Sequence, residues 1–332
     1  HRAFIDAAAK PLRHNLGALM NVFTTQTLKG EEKQALLSDL WASFFLVVPL
    51  ISTTFSSVNR MLGKLPLESL GWLFVDEAGQ ALPQAAVGAL LRTRRAIIVG
   101  DPVQIEPVVM LPDTLTHAIC RRFGVDPNHY AAPSASVQTL ADSASSSYTS
   151  EFQTHVGSRN VGVPLLVHRR CSEPMFSVSN RIAYSGLMVS AKLPKPSAIR
   201  EILGPSAWIH VEGSGQDKWC REEGDEVIRM LHRLRAASAK PDLYVITPFV
   251  IVADRLRQTI RESGVLGGWV SEDEWRWVHA RIGTVHTAQG REAEAVIFVL
   301  GAPHPTQTGA RGWAGGRPNL LNVAVTRAKE AV

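Results

Sequence analysis

Three cysteines in 332 residues, Cys120, Cys171 and Cys220, stand far apart and form no CxxC pair. An odd and scattered set excludes a disulfide framework or a zinc site as the organising element, and it suits a reducing, cytoplasmic setting. Long apolar runs are lacking as well. None approaches the roughly 20 residues of a membrane-spanning helix, so no membrane partner is expected, and no signal peptide is read. Nor does charge of one sign dominate: 35 Lys and Arg against 30 Asp and Glu leave +5, which permits an anionic partner without identifying one. What remains is ordinary globular material, 45% hydrophobic and 20% charged, in a chain long enough for two cores.

The chain is organised around Leu70 to Val109. LFVDEAGQA (Leu73 to Ala81) is followed closely by AIIVGDPVQIEPVV (Ala96 to Val109). Leu73 to Val75 and Ala96 to Val99 are short and wholly apolar, which predicts buried parallel strands that deliver Asp76, Glu77 and Asp101 to one sheet edge. Ligands of doubly wound sheets bind at such an edge. The Asp-Glu pair suits nucleotide hydrolysis: Asp76 can hold a hydrated Mg²⁺, Glu77 can take the proton of an attacking water, and Gln104 can orient that water. The pair also suits capping of the helix predicted from Pro83. That helix is expected to reach Arg94, with Arg92, Arg94 and Arg95 at its end.

Upstream, helical patterns over Phe4 to Leu12 and Glu31 to Leu40 are broken at Asn15, Thr24 to Thr27 and Gly30. FFLVVPLI (Phe44 to Ile51) reads as a buried strand that ends in hydroxyls, among them Ser52 and Thr53. Hydroxyls at a strand end can grip phosphates of a single strand, or cap the helix toward Leu62. Asp113 to Arg122 is helical, and Pro133 to Ser150 carries seven serines, a linker signal that a short helix over Ser136 to Asp142 interrupts.

The second half predicts strands at Trp208 to Val211, Leu243 to Thr247, Ile282 to Val285, Val296 to Leu300 and Leu321 to Val325. Helices alternate with them, notably Glu222 to Arg235 and the Val252, Leu256, Ile260 stripe. This is the pattern of an α/β domain with a mostly parallel sheet. VPLLVHRRC brings Arg169 and Arg170 to the end of an apolar run, VITPFV sets Thr247 and Pro248 at a strand end, and TVHTAQGREAE does the same for His286, Thr287, Gly290 and Glu292. Arg327, in NLLNVAVTRAKE, is read one turn into a helix after a buried strand. His286 has no second ligand at metal-binding spacing. Trp269, Trp275 and Trp277, beside the acidic SEDE, are read as partial core rather than a base-stacking platform.

DEAGQA, GDPVQIEP, VITPF, AQGRE and NVAVTRAK occur in an order that resembles superfamily 1 helicases, specifically the 5′-to-3′ branch with the nonsense-decay and Okazaki-fragment helicases. The match runs from about Leu46 to Lys329, and the phrasing looks like bacterial members. The resemblance implies two RecA-like domains with ATP in the cleft and single-stranded DNA or RNA across both. The expected division is 1–125 for the first domain, which is incomplete, 126–160 for a Ser-rich linker and 161–332 for the second domain. It further implies that Asp76 binds Mg²⁺, Glu77 is the general base and Gln104 senses the γ-phosphate. Arg170 and Arg327 would be arginine fingers, Asp101, Gly290 and Glu292 would lie by the nucleotide, and Ser52, Thr53, Thr247, Pro248, His286 and Thr287 would contact the strand. This chain reads His168-Arg169-Arg170-Cys171-Ser172-Glu173 where many relatives read Gln-Tyr-Arg-Met-His-Pro, so the choice of Arg170 over Arg169 rests on register.

One family element is absent. No GxxxxGK[ST] loop occurs, and Gly63-Lys64 is followed by Leu65. That loop cradles the phosphates in P-loop enzymes. The chain therefore reads as a C-terminal piece of a longer protein with additional domains, expected by itself to bind ATP poorly and not to hydrolyse it. The competing reading is a noncatalytic nucleic-acid-binding module built on a helicase fold, and a further one is an ATPase switch that does not travel along a strand.

Overall fold

The computed structural model describes residues 2–25, 31–101, 103–144, 150–154, 157–303, 307–316 and 318–332. The chain divides into two compact units, the first made of 1–102 with 106–141 and the second of 142–332 with 103–105. In both, parallel strands are flanked by helices, an α/β fold of the expected class.

The first unit opens with α1 (Arg2–Thr25) and α2 (Glu31–Val47). Asn15 is not a break: it lies inside α1 and its Nδ2 donates to Ser43 Oγ at 2.8 Å. The strand expected from Phe44 is not formed either, since Phe44 to Val47 complete α2. Leu37, Leu40, Trp41, Phe44 and Phe45 recur at the three- and four-residue spacing of one helical face. That face packs with Leu19 of α1, and Trp41 stacks on Phe45 at 5.5 Å. Pro49 follows directly. Helix α3 (Phe55–Leu62) follows with Thr54 at its N-cap position, where the Thr54 carbonyl accepts from Ser57 N and its hydroxyl pairs with Ser56 Oγ instead of capping a backbone N–H.

Strands β1 (Leu70–Val75) and β2 (Thr93–Ile98) pair in parallel, with Leu73 opposite Ala96 and Val75 opposite Ile98. Their burial differs from expectation. The period of two sends Leu73 and Val75 into a core with Ala78, Ala86 and Val137, while Trp72 and Phe74 on the other face are 53% and 60% exposed. Between the strands, α4 (Pro83–Leu90) stops short of Arg94. Thr93 Oγ1 donates to Leu90 O, Arg92 donates to Gly88 O and Gly63 O, and the chain turns at once into β2, which carries Arg94 and Arg95.

After α5 (Asp113–Arg122), the segment read as a serine-rich linker holds α6 (Pro127–Tyr130), α7 (Val137–Ala144) and an antiparallel hairpin of β3 (Ser150–Thr154) and β4 (Gly157–Val161). Serines 145–147 fall outside the described residues. The start of α7 is fixed by a reciprocal cap: Ser136 N donates to Thr139 Oγ1 and Thr139 N to Ser136 Oγ. Hydroxyls that signal flexibility in the sequence act here as caps.

The second unit places β5 (Val167–His168) parallel to β6 (Val189–Ser190), with α8 (Met175–Ala183) between them. There follow α9 (Ala198–Leu203), a short hairpin of β7 (Gly215–Gln216) and β8 (Trp219–Cys220), and α10 (Arg221–Ala236). The main sheet comprises β9 (Leu243–Thr247), β10 (Ile282–Thr284), β11 (Ala293–Phe298) and β12 (Ala328–Ala331) in the order β10-β9-β11-β12, all parallel. Its connections carry α11 (Val250–Glu262), α12 (Glu274–Arg281), α13 (Val285–Ala288), α14 (Thr308–Gly315) and α15 (Asn319–Thr326). Val227, Leu231 and Leu234 of α10 and Val252, Leu256 and Ile260 of α11 join Leu243, Val245 and Ile282 in one core.

In the second unit two expected strands are not observed. Trp208 to Val211 forms none, with Trp208 73% exposed; an apolar run becomes a strand only where a neighbouring edge pairs with it. Leu321 to Val325 lies in α15, and the strand comes after it, so Arg327 sits at the end of a helix and immediately before a strand. Asn322 to Thr326 are all buried, and a run buried on every side has no period by which to separate helix from strand. Of the three tryptophans, Trp277 is core, Trp269 is tied by its Nε1 to Ala239 O, and Trp275 stays 53% exposed, stacked on His279.

Candidate nucleotide site

In the first unit the backbone pairing of β1 and β2 runs past the strands. Val99 N donates to Val75 O at 2.8 Å and Ala78 N to Val99 O at 2.9 Å. These bonds set Asp76 and Glu77 at the carboxyl end of β1, beside Gly100 and Asp101. Gly100 is required there, because a Cβ would stand 2.5 Å from Gly79 N and 2.7 Å from Ala78 N. Gly100→Ala is expected to cost about 1–3 kcal/mol, since backbone on both sides must move; urea unfolding measures this, and an unchanged midpoint would contradict the close approach.

Glu77 adopts a left-handed backbone, φ 55. For a residue with a Cβ this stores roughly 1–3 kcal/mol, a strain that recurs at functional turns. The turn is held from both sides: Asp76 Oδ1 accepts from Glu77 N at 2.9 Å, and Glu77 Oε2 accepts from Gln80 Nε2 at 2.8 Å. Both acids are exposed. Among the described residues no group of three or more His, Cys, Asp or Glu side chains could cage a metal. Adjacent exposed carboxylates such as Asp76 and Glu77 fit Mg²⁺, which takes one or two carboxylates and completes its shell with water and substrate phosphates.

Gln104 packs with the second unit although it stands three residues after Asp101. Asn322 Nδ2 donates to Val103 O at 3.0 Å, and Ile105 is buried with Val323 and Val325 of α15.

The second unit gathers four charged residues from separate elements. Arg170 follows β5, Glu292 precedes β11, Arg327 ends α15 and Lys329 lies in β12. Lys329 Nζ is 2.7 Å from Glu292 Oε1, and Arg170 Nε is 3.7 Å from Glu292 Oε2. The Lys329 hydrogen bond, aided by the charges of Lys329, Arg170 and Arg327, holds the Glu292 carboxyl below its usual range. Arg327 is 1% exposed, and its guanidinium donates to Val323 O, Thr326 Oγ1 and Arg291 O. Arg170, rather than Arg169, is thus the arginine that faces this cluster.

The 168–171 turn is fixed by His168, whose Nε2 accepts from Cys171 N at 3.1 Å and lies 3.0 Å from Cys171 Sγ. Burial, then the charge of Arg170, pushes His168 down, which keeps the ring neutral and accepting. Burial raises the Cys171 thiol to about 12, so it serves as packing rather than as a nucleophile.

Next to Lys329, Glu330 points the other way and is 4% exposed. Burial pushes its carboxyl up, but the Lys192 ammonium at 2.8 Å, Lys195 N and Ser172 Oγ outweigh burial and hold it below its usual value. A carboxyl lowered by folding stabilises above its unfolded value and loses that contribution as pH falls through its folded one. Thermal melting is therefore expected to drop as pH passes below the ordinary 4.5. Lys192→Met, which strands the buried carboxylate, is expected to cost roughly 3 kcal/mol at neutral pH; a loss within measurement error would contradict the pairing.

The remaining predicted residues are spread more widely. Ser52 and Thr53 are exposed just before α3, and Thr53 Oγ1 donates to Met61 Sδ. His286 and Thr287 are exposed on α13, where Thr287 Oγ1 donates to Thr284 O. Gly290 is exposed with φ 74. Thr247 and Pro248, in contrast, are buried, and Thr247 Oγ1 accepts from Phe249 N, so the expected contact of these two with a strand meets covered side chains. Lys329 was not singled out by the sequence, although a cation two residues past Arg327, at the head of a strand, was the available signal.

A family model described as an AAA domain matches residues 148–332, and a second with the same description matches 23–111. The chain belongs to this AAA-domain family. A chicken (Gallus gallus) DNA replication ATP-dependent helicase/nuclease, DNA2, is 23% identical over 291 residues, 85% of this chain and 24% of the relative. The Regulator of nonsense transcripts 1 homolog of Drosophila melanogaster is 25% identical over 276 residues, 80% of this chain and 21% of the relative. The human 3′-5′ exoribonuclease HELZ2 is 30% identical over 131 residues, 36% of this chain and 4% of the relative. Within its family the chain is thus of the superfamily 1 helicase type, in the branch of the DNA2 and nonsense-transcript proteins. It spans about a quarter or less of these relatives' lengths. All three are animal proteins and give no support to a bacterial phrasing of the motifs. No helix among the described residues is long and apolar enough to cross a membrane.

Proposed function

We propose that this AAA-domain chain is the motor portion of an ATP-dependent helicase or translocase that couples ATP hydrolysis to movement along single-stranded DNA or RNA. The observation that carries the reading is the strained Asp76-Glu77 turn at the end of β1, braced by the contact at Gly100. Asp76 would hold Mg²⁺ through water, and the ion would supply charge neutralisation on the phosphates. Glu77 accepts the proton of the attacking water, and Gln104 orients that water. Arg170 and Arg327 stabilise charge developing on the γ-phosphoryl group. From its burial, Arg327 needs a side-chain rearrangement to do so, whereas Arg170 is already exposed. Asp101, Gly290 and Glu292 border the nucleotide, and Ser52, Thr53, His286 and Thr287 touch the strand backbone.

Relatives that are named as an ATP-dependent helicase and a nonsense-transcript regulator support the class. Movement in the 5′-to-3′ direction rests on the resemblance alone. With no GxxxxGK[ST] loop in its sequence, the 332-residue chain by itself is proposed to bind ATP poorly and not to turn it over. The test is unwinding of a tailed duplex by the longer protein that carries this chain. ATP-dependent unwinding of a 5′-tailed duplex supports the motor; strand binding with neither unwinding nor translocation would favour the noncatalytic module.

A further inference from the structure

We propose that Lys329 is a phosphate-binding residue and that Glu292 is its built-in competitor, with the Glu292 carboxylate holding the place of an incoming phosphoryl group between Lys329 and Arg170. The identity of the ligand rests on the nucleotide reading above; the charge arrangement does not. Each oxygen of Glu292 faces a different cation, Oε1 toward Lys329 at 2.7 Å and Oε2 toward Arg170 at 3.7 Å. A phosphoryl group presents two oxygens to two cations in the same way.

The three side chains are 39%, 40% and 46% exposed for Lys329, Arg170 and Glu292, so a dissolved anion can reach them. An ion pair this exposed contributes little to stability, and exchanging its partner is correspondingly cheap. Arg327 adds positive potential from within the fold, one of the charges that hold the Glu292 carboxyl low. Two cations contact this carboxylate, and a third acts on it through its charge alone. The nearby His168 is kept neutral, and Glu330, although adjacent to Lys329 in sequence, is spent on Lys192, Lys195 N and Ser172. Lys329 and Arg170 flank the Glu292 carboxylate, and it is this anion that a ligand would displace.

The probe is inorganic tripolyphosphate, titrated calorimetrically into the 332-residue chain at low salt. Glu292→Gln removes the competing charge and keeps the side-chain shape; it is expected to tighten binding roughly tenfold, the scale of one part-screened charge pair. Adding Lys329→Gln to Glu292→Gln should return affinity to the wild-type level or below, while Lys329→Arg in that background should retain the gain, which a collapsed fold would not allow. Arg261→Gln on α11, an exposed cation elsewhere in the second unit, should change nothing. The proposal is overturned if Glu292→Gln binds no more tightly, or if the gain survives Lys329→Gln. Because the probe is not hydrolysed and no strand is present, either result stands apart from the outcome of the unwinding test.

Discussion

Glu77→Gln in the longer protein should lower ATP turnover by about 10²–10⁴-fold, the usual contribution of a general base. The change is nearly isosteric, and the glutamine carbonyl oxygen can still accept the hydrogen bond that Gln80 Nε2 donates to Glu77, so the left-handed turn has no reason to relax. Substrate affinity should then change little while kcat collapses, because glutamine cannot take the proton of water. Phosphate release under saturating ATP reads this directly. Turnover within about threefold of wild type, well short of what a lost general base costs, would mean that Glu77 only shapes the turn.

Arg170→Ala is expected to be as severe or more so, about 10³–10⁵-fold in kcat, if its guanidinium meets charge on the transferred phosphoryl group. Arg169→Ala is the matched control. Both arginines are exposed at the end of β5, but Arg170 is the one paired with Glu292 and set beside Lys329. The register read from the sequence and the charge cluster in the second unit thus point to the same residue, and a large effect at Arg169 with a small one at Arg170 would refute both. Arg327→Ala is less informative, since that side chain is almost fully buried and satisfies backbone carbonyls. Its loss would destabilise the fold as well as any chemistry.

What the sequence revealed of the fold follows from which segments have a period. Helices α10 and α11 are half-buried, each with a buried apolar face and charged residues elsewhere on its surface, and their sequence spacing matches their structure. Helix α15 is buried nearly all round, so its apolar run is as compatible with a strand as with a helix. Phe44 to Ile51 misleads for another reason: its aromatic residues belong to a helical face that begins at Leu37, outside the apolar run itself. Trp208 to Val211 has strand composition, but a strand also needs a partner edge, which composition does not encode.

The site is legible to a different degree. Acids just after short apolar runs mark the ends of parallel strands, and Asp76, Glu77 and Asp101 do lie just past β1 and β2. The meeting of Arg170, Glu292 and Lys329 depends on how β5, β11 and β12 lie in space, which no local spacing states. Thr247 shows the converse. A hydroxyl at a strand end looks available in sequence, yet layers packed above β9 leave it 0% exposed.

The most direct test of the account is ATP hydrolysis by the longer protein, with and without single-stranded DNA or RNA, in wild type and Glu77→Gln side by side. The account predicts turnover that a single strand stimulates and that Glu77→Gln abolishes. Absence of turnover with either polymer, in a protein that still binds the strand, would contradict it and leave a noncatalytic binding module.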